Sequence, residues 1–272
     1  MTRLVRSIYT GSDVTSLGEV TDSGTIEVGP VSKGLFRKDD PTAVAWTKTG
    51  GDTAETATDM YVEVNGSVIT VASGTSISMP TLSAGTDYAI WLETDGDLVA
   101  TTDHTSPPTA NARKLGGFHY APGGNAAAQA GGDTTPVINE YSFWDLKFRP
   151  HCDPRGMTLV ADGFWADIYL TGVDHHTNGT SKYNVTIADG SSPPKVPTEF
   201  GGNGSTTYGT YTWFECMELL SSHGKRAPTQ REFMALAYGT DEETSVGSDP
   251  VTTAIAAADA DHTSKWGVMQ ST

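Results

Sequence analysis

Asp174, His175 and His176 stand in a row, and such side chains are ligand types of a divalent-metal site. Adjacent residues on a strand point to opposite faces, so one ion reaches both imidazoles only where a loop folds them together. No H-E-x-x-H and no Cys/His cluster supports such a site, and no metal or cofactor is expected. His151 beside Cys152 suggests a second chemistry, a thiol activated by a base. The pair sits in RPHCDPRG, a turn-like stretch where neighbouring side chains seldom meet in productive geometry, so a structural role is expected. GGNGST at 201–206 lacks the Lys and the strand-to-helix setting of a phosphate loop and reads as a turn. Composition leaves a Ser/His/Asp triad open, but there is no G-x-S-x-G elbow. Glu242 and Glu243 are paired carboxylates in a polar run, without the apolar surroundings that raise a pKa. No catalytic residue is assigned, and the chain reads as a non-enzyme.

Aromatic density remains. Trp144, Trp165, Tyr169, Tyr183, Tyr208, Tyr211 and Trp213 crowd the second half, and aromatics on Gly-, Ser- and Asn-rich loops suit a recognition surface. Trp144, Trp165 and Trp213 fall on strands and a helical stripe and are assigned to the core. Tyr183, Tyr208 and Trp266 lie near loops and are the candidate ligand contacts, with core packing as the alternative.

The bulk numbers narrow the partners. At 272 residues the chain holds one or two domains. Hydrophobic content of 37% and charged content of 18% are both low, with Thr, Ser and Gly in their place, which favours short strands and many turns. A net charge of −16, from 17 basic and 33 acidic residues, argues against nucleic acid, which needs clustered Lys and Arg. No polybasic amphipathic run suits a membrane surface, and no apolar run approaches the ~18 residues of a span, so no membrane insertion is expected. MTRLVRSIYTGSD lacks the apolar stretch of a signal peptide, so folding in a cytoplasm is expected. Cys152 and Cys216 read as two reduced, packed thiols, with a single bridge as the alternative.

The elements that would position these residues divide the chain. Residues 1–120 read as all-β, a small sandwich or barrel. MYVEVNGSVITVA is a hairpin turned by Asn65-Gly66, which supplies the positive φ angles of a type I′ turn. DYAIWLETDGDLVATT repeats the pattern around Asp95-Gly96, with Tyr88, Ile90 and Leu92 on one face. Pro80 belongs to an edge or connection. ARKLGGFHY is a last strand whose Gly116-Gly117 marks a bulge or close approach. Residues 121–136, APGGNAAAQAGGDTTP, have almost no large apolar side chain and read as a linker.

Residues 137–272 read as a second domain. YSFWDLKFRP is a strand, and GMTLVADGFWADIYLTGV holds two more. The polar reach from 174 to 209 is too long for a simple connection. YTWFECMELLSSHG is a helix with Trp213, Cys216, Met217 and Leu220 on one stripe. Thr229 and Glu232 form the capping box of a second helix, with Phe233, Leu236 and Ala237 inward and Gly239 at its end. Trp266 and Val268 read as the opening of a further strand.

GTDYAIWLETDGDLVA followed by ARKLGGFHYAPGGNA resembles the N-terminal parts of phage tail-fibre and major-tropism-determinant-like virion proteins. KFRPHCDPRGM, GFWADIYLTGVDHHTNGTSKY, IADGSSPPKVPTEFGGNG, GKRAPTQREFMALAYG and TSKWGVMQST resemble the C-type-lectin-like domain of those proteins. Formylglycine-generating, sulfatase-modifying enzymes share that fold, with a related G-K-R-L-P-T-x-x-E-W signature. Gly224, Lys225, Arg226, Pro228, Thr229 and Glu232 match it, while Ala227 replaces Leu and Phe233 replaces Trp. The likeness covers residues 40–272. It implies an α+β C-terminal domain with two helices packed on a twisted antiparallel sheet. The enzymatic branch uses cysteines near its C-terminal end, and after Glu215 only Cys216 is present, so enzyme activity is not carried over. In the tropism-determinant branch the chain continues past S-K-W-G into a Gly- and Trp-rich strand region with ligand-contacting positions. Either that region is missing from this sequence, or this version lacks it.

The resemblance implies a virion structural protein, a fibre or decoration protein assembled in the host cytoplasm. It would form a homotrimer, contact other virion proteins, and bind a host-surface glycan or protein. Two alternatives stand beside it: a purely architectural capsid cement or head fibre, and an enzyme on the sulfatase-modifying fold.

Overall fold

The structure, a computed structural model, describes residues 34–241, 251–254 and 260–271; Glu242, Glu243 and the N-terminal residues of the all-β assignment lie outside them. Short strands dominate. β1 (Phe36–Lys38), β2 (Trp46–Lys48), β3 (Ala54–Thr56), β4 (Met60–Val64) and β5 (Ser67–Val71) come first. β6 (Ile77–Ser78), β7 (Thr86–Leu92), β8 (Leu98–Thr101), β9 (Arg113–Ala121) and β10 (Val137–Ile138) follow. β11 (Trp144–Asp145) leads to the hairpin of β12 (Met157–Val160) and β13 (Phe164–Asp167). The helices are α1 (His175–Asn178), α2 (Trp213–Ser222) and α3 (Gln230–Leu236).

A six-stranded sheet runs β10-β9-β7-β8-β6, with β11 also paired to β9, and a three-stranded sheet runs β1-β4-β5. Phe36, Trp46, Met60 and Val62 share one apolar core with Tyr88, Ile90, Leu115 and Phe118 of the larger sheet. The β4–β5 turn has Asn65 at φ 50° and Gly66 at φ 83°, as the Asn-Gly pair requires. The β7–β8 connection is longer than a two-residue turn: Glu93 N–H donates to the Asp97 carbonyl, with Asp95-Gly96 inside the loop. Tyr88, Ile90 and Leu92 are buried together, but Ala89 and Trp91 are buried too, so both faces of this central strand are covered.

Gly116 and Gly117 allow a close approach, and the bulge falls next to them at Leu115. Pairing between β7 and β9 shifts at Ile90/Trp91, a bulge opposite Leu115. A Cβ on Gly116 would stand 2.2 Å from the Trp144 carbonyl oxygen, and one on Gly117 would stand 2.4 Å from that of Tyr88. Trp46 uses this closeness: its indole Nε1–H donates to the Trp144 carbonyl at 3.0 Å. Beside it, Lys38 pairs with Asp145 at 2.7 Å, both side chains fully buried. Asp145 also accepts the Ala45, Lys147 and Phe148 amides.

Several expectations need correction. The sheet does not stop at residue 120, because β10 and β11 both pair with β9. Residues 121–136 are not a free tether: Ala126 N–H donates to Ser264, Gly131 to Gly239 and Gly132 to Ala260. The missing side chains are the reason for this closeness, since a Cβ on Gly131 would lie 2.2 Å from Asp261. YSFWDLKFRP holds only the two-residue β11, preceded by a 3-10 turn over Glu140–Ser142. Asn139, just before the stretch, caps that turn, and the Asp145 carboxylate accepts the Lys147 and Phe148 amides.

Among the described residues, the second half shows one two-stranded antiparallel hairpin and isolated bridges where a twisted antiparallel sheet is expected. The segment at Trp266 is a turn closed by the Ser264 amide and the Val268 carbonyl, not a strand. Trp213 and Phe233 are not inward: they are 66% and 43% exposed, while Leu219 and Leu236 are the buried positions. Leu236 packs with Val160, Phe164 and Val268, so α3 leans on the hairpin. Both helices begin with full capping boxes, Thr212/Glu215 and Thr229/Glu232. Both cysteines are free thiols.

One buried network ties the hairpin region to the main sheet. The Asp87 carboxylate on β7 accepts from His119 Nδ1 on β9 at 2.9 Å and from the Gly156 amide at 2.9 Å. His119 Nε2 accepts from the Tyr169 hydroxyl at 2.8 Å. Burial alone would raise the Asp87 pKa, but its interactions with His119 and the Gly156 amide outweigh it and hold the carboxyl below its ordinary 3.8.

Three substitutions have expected outcomes. Gly116→Ala should lower stability by about 2 kcal/mol or more in urea unfolding. Gly190→Ala, whose Cβ would meet nothing within 4 Å, should stay within about 0.5 kcal/mol. Asp87→Asn should cost about 2–4 kcal/mol at pH 7. Because the folded pKa lies below the unfolded one, the carboxylate's contribution is whole above 3.8 and is lost as pH falls through the lower folded value. The stability gap between Asp87→Asn and the parent should therefore narrow below that pH.

Candidate functional site

The α2–α3 corner carries the most distinctive local chemistry. α2 ends at Ser222, and Gly224 takes φ 68° to reverse the chain. Lys225 then points back at the hairpin, pairing with Asp167 at 2.5 Å and donating to Thr180 Oγ1 at 2.7 Å. Thr180 in turn donates to the other Asp167 oxygen. Arg226 turns outward and forks the Glu232 carboxylate at 2.8 and 2.6 Å. Glu232 also accepts the Thr229 amide, and these bonds hold its carboxyl down at about 2. The GKRAPTxxE stretch is thus a corner brace: one cation faces the hairpin and the other locks the α3 cap.

Beside the brace lies an apolar cleft of about 720 Å3, walled by Trp165 and Leu170, by Pro228 and Phe233, and by Val268 and Met269. α2, α3 and the residue stretch just after α3 carry exposed apolar side chains. Trp213 and Phe214 form an edge-to-face pair, and Phe214, Met234 and Tyr238 are 74%, 68% and 56% exposed. The reach from 174 to 209 is held by its own bonds. Lys195 pairs with Asp174 at 3.0 Å, the Val196 amide meets the Thr206 carbonyl, and Asn203 gathers the Ser205 and Thr206 amides.

The sequence candidates do not converge. Tyr183 packs against Tyr169 and lies directly over Gly85, where a Cβ would come within 2.1 Å of its ring. Trp266 meets Tyr141 edge-on and donates its Nε1–H to the Ala235 carbonyl at 2.9 Å, so it bolts α3 to the terminal turn. Tyr208 is half-buried and donates to Glu218 of α2 at 2.8 Å; burial, then Glu218, pushes its hydroxyl pKa up. Trp144 is core, Trp165 is half-buried in the cleft wall and Trp213 is open to solvent. Sequence reading missed Phe214, Met234 and Tyr238. Their signal was an apolar residue off the helical stripe.

The groups that suggested chemistry are engaged elsewhere. His175 donates Nε2–H to the Lys195 carbonyl, and its Nδ1 lies 2.8 Å from His223 Nε2. His176 gives Nε2–H to the Val196 carbonyl. Burial pushes the pKa of both His175 and His223 down. Among the described residues no group of three or more His, Cys, Asp or Glu is placed to hold a metal ion. The Cys152 thiol sits 3.6 Å from the Met157 sulfur, and burial pushes its pKa up, the reverse of activation. Asp87, His119 and Tyr169 have the residue types of a proton relay, but His119 is 2% exposed, which keeps substrate out.

Lys225→Met should cost about 2–3 kcal/mol by stranding Asp167. Hydrogen exchange should quicken at the α2–α3 corner while the β7–β9 amides keep their protection.

Comparison with known proteins places this architecture. Residues 44–145 match the family described as Mtd second domain. The tail fiber receptor-binding protein of Bordetella phage BPP-1 is 55% identical over 248 residues, which is 88% of this chain and 65% of that protein. The chain thus spans just under two thirds of that relative's length. The solved Major Tropism Determinant P3c Variant aligns with a TM-score of 0.84 at 54% identity, covering 88% of this chain and 66% of that one. The U1 Variant aligns at 0.85 and 51% identity, covering 93% of this chain and 73% of that one. A mostly β chain with few helices here takes a C-type-lectin-like fold. The chain belongs to the major tropism determinant family of phage tail-fibre proteins.

Proposed function

We propose that the chain is the host-recognising part of a tail fibre: a β base up to residue 145, then a lectin-like head whose capped helices brace a loop-bearing face. The observation that carries this reading is the solvent exposure of four large apolar side chains, Trp213 and Phe214 on α2, Met234 on α3 and Tyr238 just after it. Large apolar side chains left open to solvent suit a binding surface. Likeness to a receptor-binding tail fibre supports the same reading. Relatives of that kind are virion components rather than enzymes, and the buried Asp87–His119–Tyr169 network and the unactivated Cys152 offer no chemistry of their own.

The ligand is a host-surface glycan or protein. Of the sequence candidates, Tyr208 is the one offered to it, poised at the loop edge beside Glu218. Tyr183 and Trp266 serve by holding the loop and the terminal turn. The chain assembles as a homotrimer with other virion proteins, so weak single contacts are multiplied by copy number.

Purified protein added to host cells should lower adsorption of the phage that carries it by about tenfold at saturation. Phe214→Ala and Tyr208→Ala should each weaken this blocking with little change in melting temperature. Undiminished adsorption at saturating protein would sink the proposal. Light scattering in solution should give three times the 28.7 kDa chain mass; a monomer would remove the trimer from it.

A further inference from the structure

A second cavity, of about 410 Å3, lies where β9 and the loop after β8 meet the turn before β12. Its lining inverts the charge of the chain. Lys114, Arg149 and Arg155 face a single carboxylate, Asp153, and two imidazoles, His104 and His151, complete the wall. The whole protein has only 17 Lys and Arg against 33 Asp and Glu, so a local excess of cations needs a reason.

Each charge has a known partner or lacks one. Arg155 forks Asp153 and neutralises it. The nearby Asp103 is turned into its own loop, accepting the Thr105 and Ser106 amides. Lys114 gives one proton to the His104 carbonyl at 2.6 Å. Burial, then the Arg155 guanidinium, pushes its ammonium below the ordinary 10.5. No described residue forms a hydrogen bond or ion pair with Arg149 or His151, and both are exposed at the cavity rim. Holding like charges this close costs Coulomb energy that an anion between them would offset. A guanidinium fork is the group best matched to a planar or tetrahedral oxyanion.

We propose that this cavity binds an oxyanion, a carboxylate or phosphate carried on a molecule of about monosaccharide size. The volume falls within the ~300–1,000 Å3 of small-molecule sites. The ligand's charged group sits between Lys114 and Arg149, with His151 donating from the rim. Oxyanion binding here is independent of receptor binding at the helical face.

The test is calorimetric titration of the full chain at constant ionic strength with glucuronate, glucose 1-phosphate, inorganic phosphate and glucose. The three anions should saturate a site with Kd at or below about 1 mM, and glucose should not bind. Tighter binding of the sugar acids than of phosphate identifies a sugar-borne group; equal binding identifies the free ion, and both support the site. Arg149→Ala and His151→Ala should each weaken anion binding about fivefold or more at unchanged melting temperature, whereas Arg231→Ala on α3 should not. Absence of saturation, equal loss in Arg231→Ala, or saturation by glucose would overturn the proposal. A fall in particle mass on Arg149→Glu, without anion binding by the parent, would do the same by assigning the cations to contact with a second copy of the chain.

Discussion

The Asp87 carboxylate accepts hydrogen bonds from His119 on the neighbouring strand and from the Gly156 backbone, and His119 accepts from Tyr169. These three bonds fix how the β12–β13 hairpin stands on the main sheet. They lie in a low-dielectric interior, where a half-satisfied polar chain is costly and a complete one specifies a single arrangement. Tyr183 over Gly85 adds a steric clamp beside them, because only a residue without Cβ admits the ring. The lectin-like head therefore has one pose relative to the sheet.

From that anchor the order passes outward through short polar ties. Thr158 and Asn139 both donate to the Trp266 carbonyl, pinning the terminal turn across the hairpin. Trp266 then fixes α3 through Ala235, and Lys225 fixes the corner through Asp167. Each tie joins segments far apart in sequence. They leave Trp213 and Phe214 of α2 and Met234 of α3 open to solvent. Apolar side chains stay exposed there because the helices are held by their ends and their capping boxes. A broad buried stripe is not what fixes them. A mount of this kind keeps recognition surfaces rigid while their side chains remain open to change.

Much of the architecture was legible from local rules. The Asn65-Gly66 turn, the close approach at Gly116-Gly117 and the Thr229/Glu232 capping box are each dictated within a few residues, and each forms. The 121–136 stretch misled because apolar content was taken as the measure of packing; its glycines pack by backbone approach instead. The helical stripe misled for a related reason. Periodicity identifies a helix, but which face is covered depends on what lies opposite, and Leu219 was covered while Trp213 was not. Little of the second cavity was legible, since Lys114 of β9 meets Arg149 and His151 from a turn more than 30 residues on.

By itself the sequence determined that the chain is mostly β, where its hairpins turn, that two capped helices close its second half, and which family motifs it carries. Those features depend on φ preferences and on bonds between near neighbours. Tertiary structure alone decided that His119 and Tyr169 meet over Asp87, that Tyr183 and Trp266 hold the frame, and that Phe214 and Met234 face solvent. Those outcomes depend on contacts between residues distant along the chain, and no local preference encodes which distant group arrives.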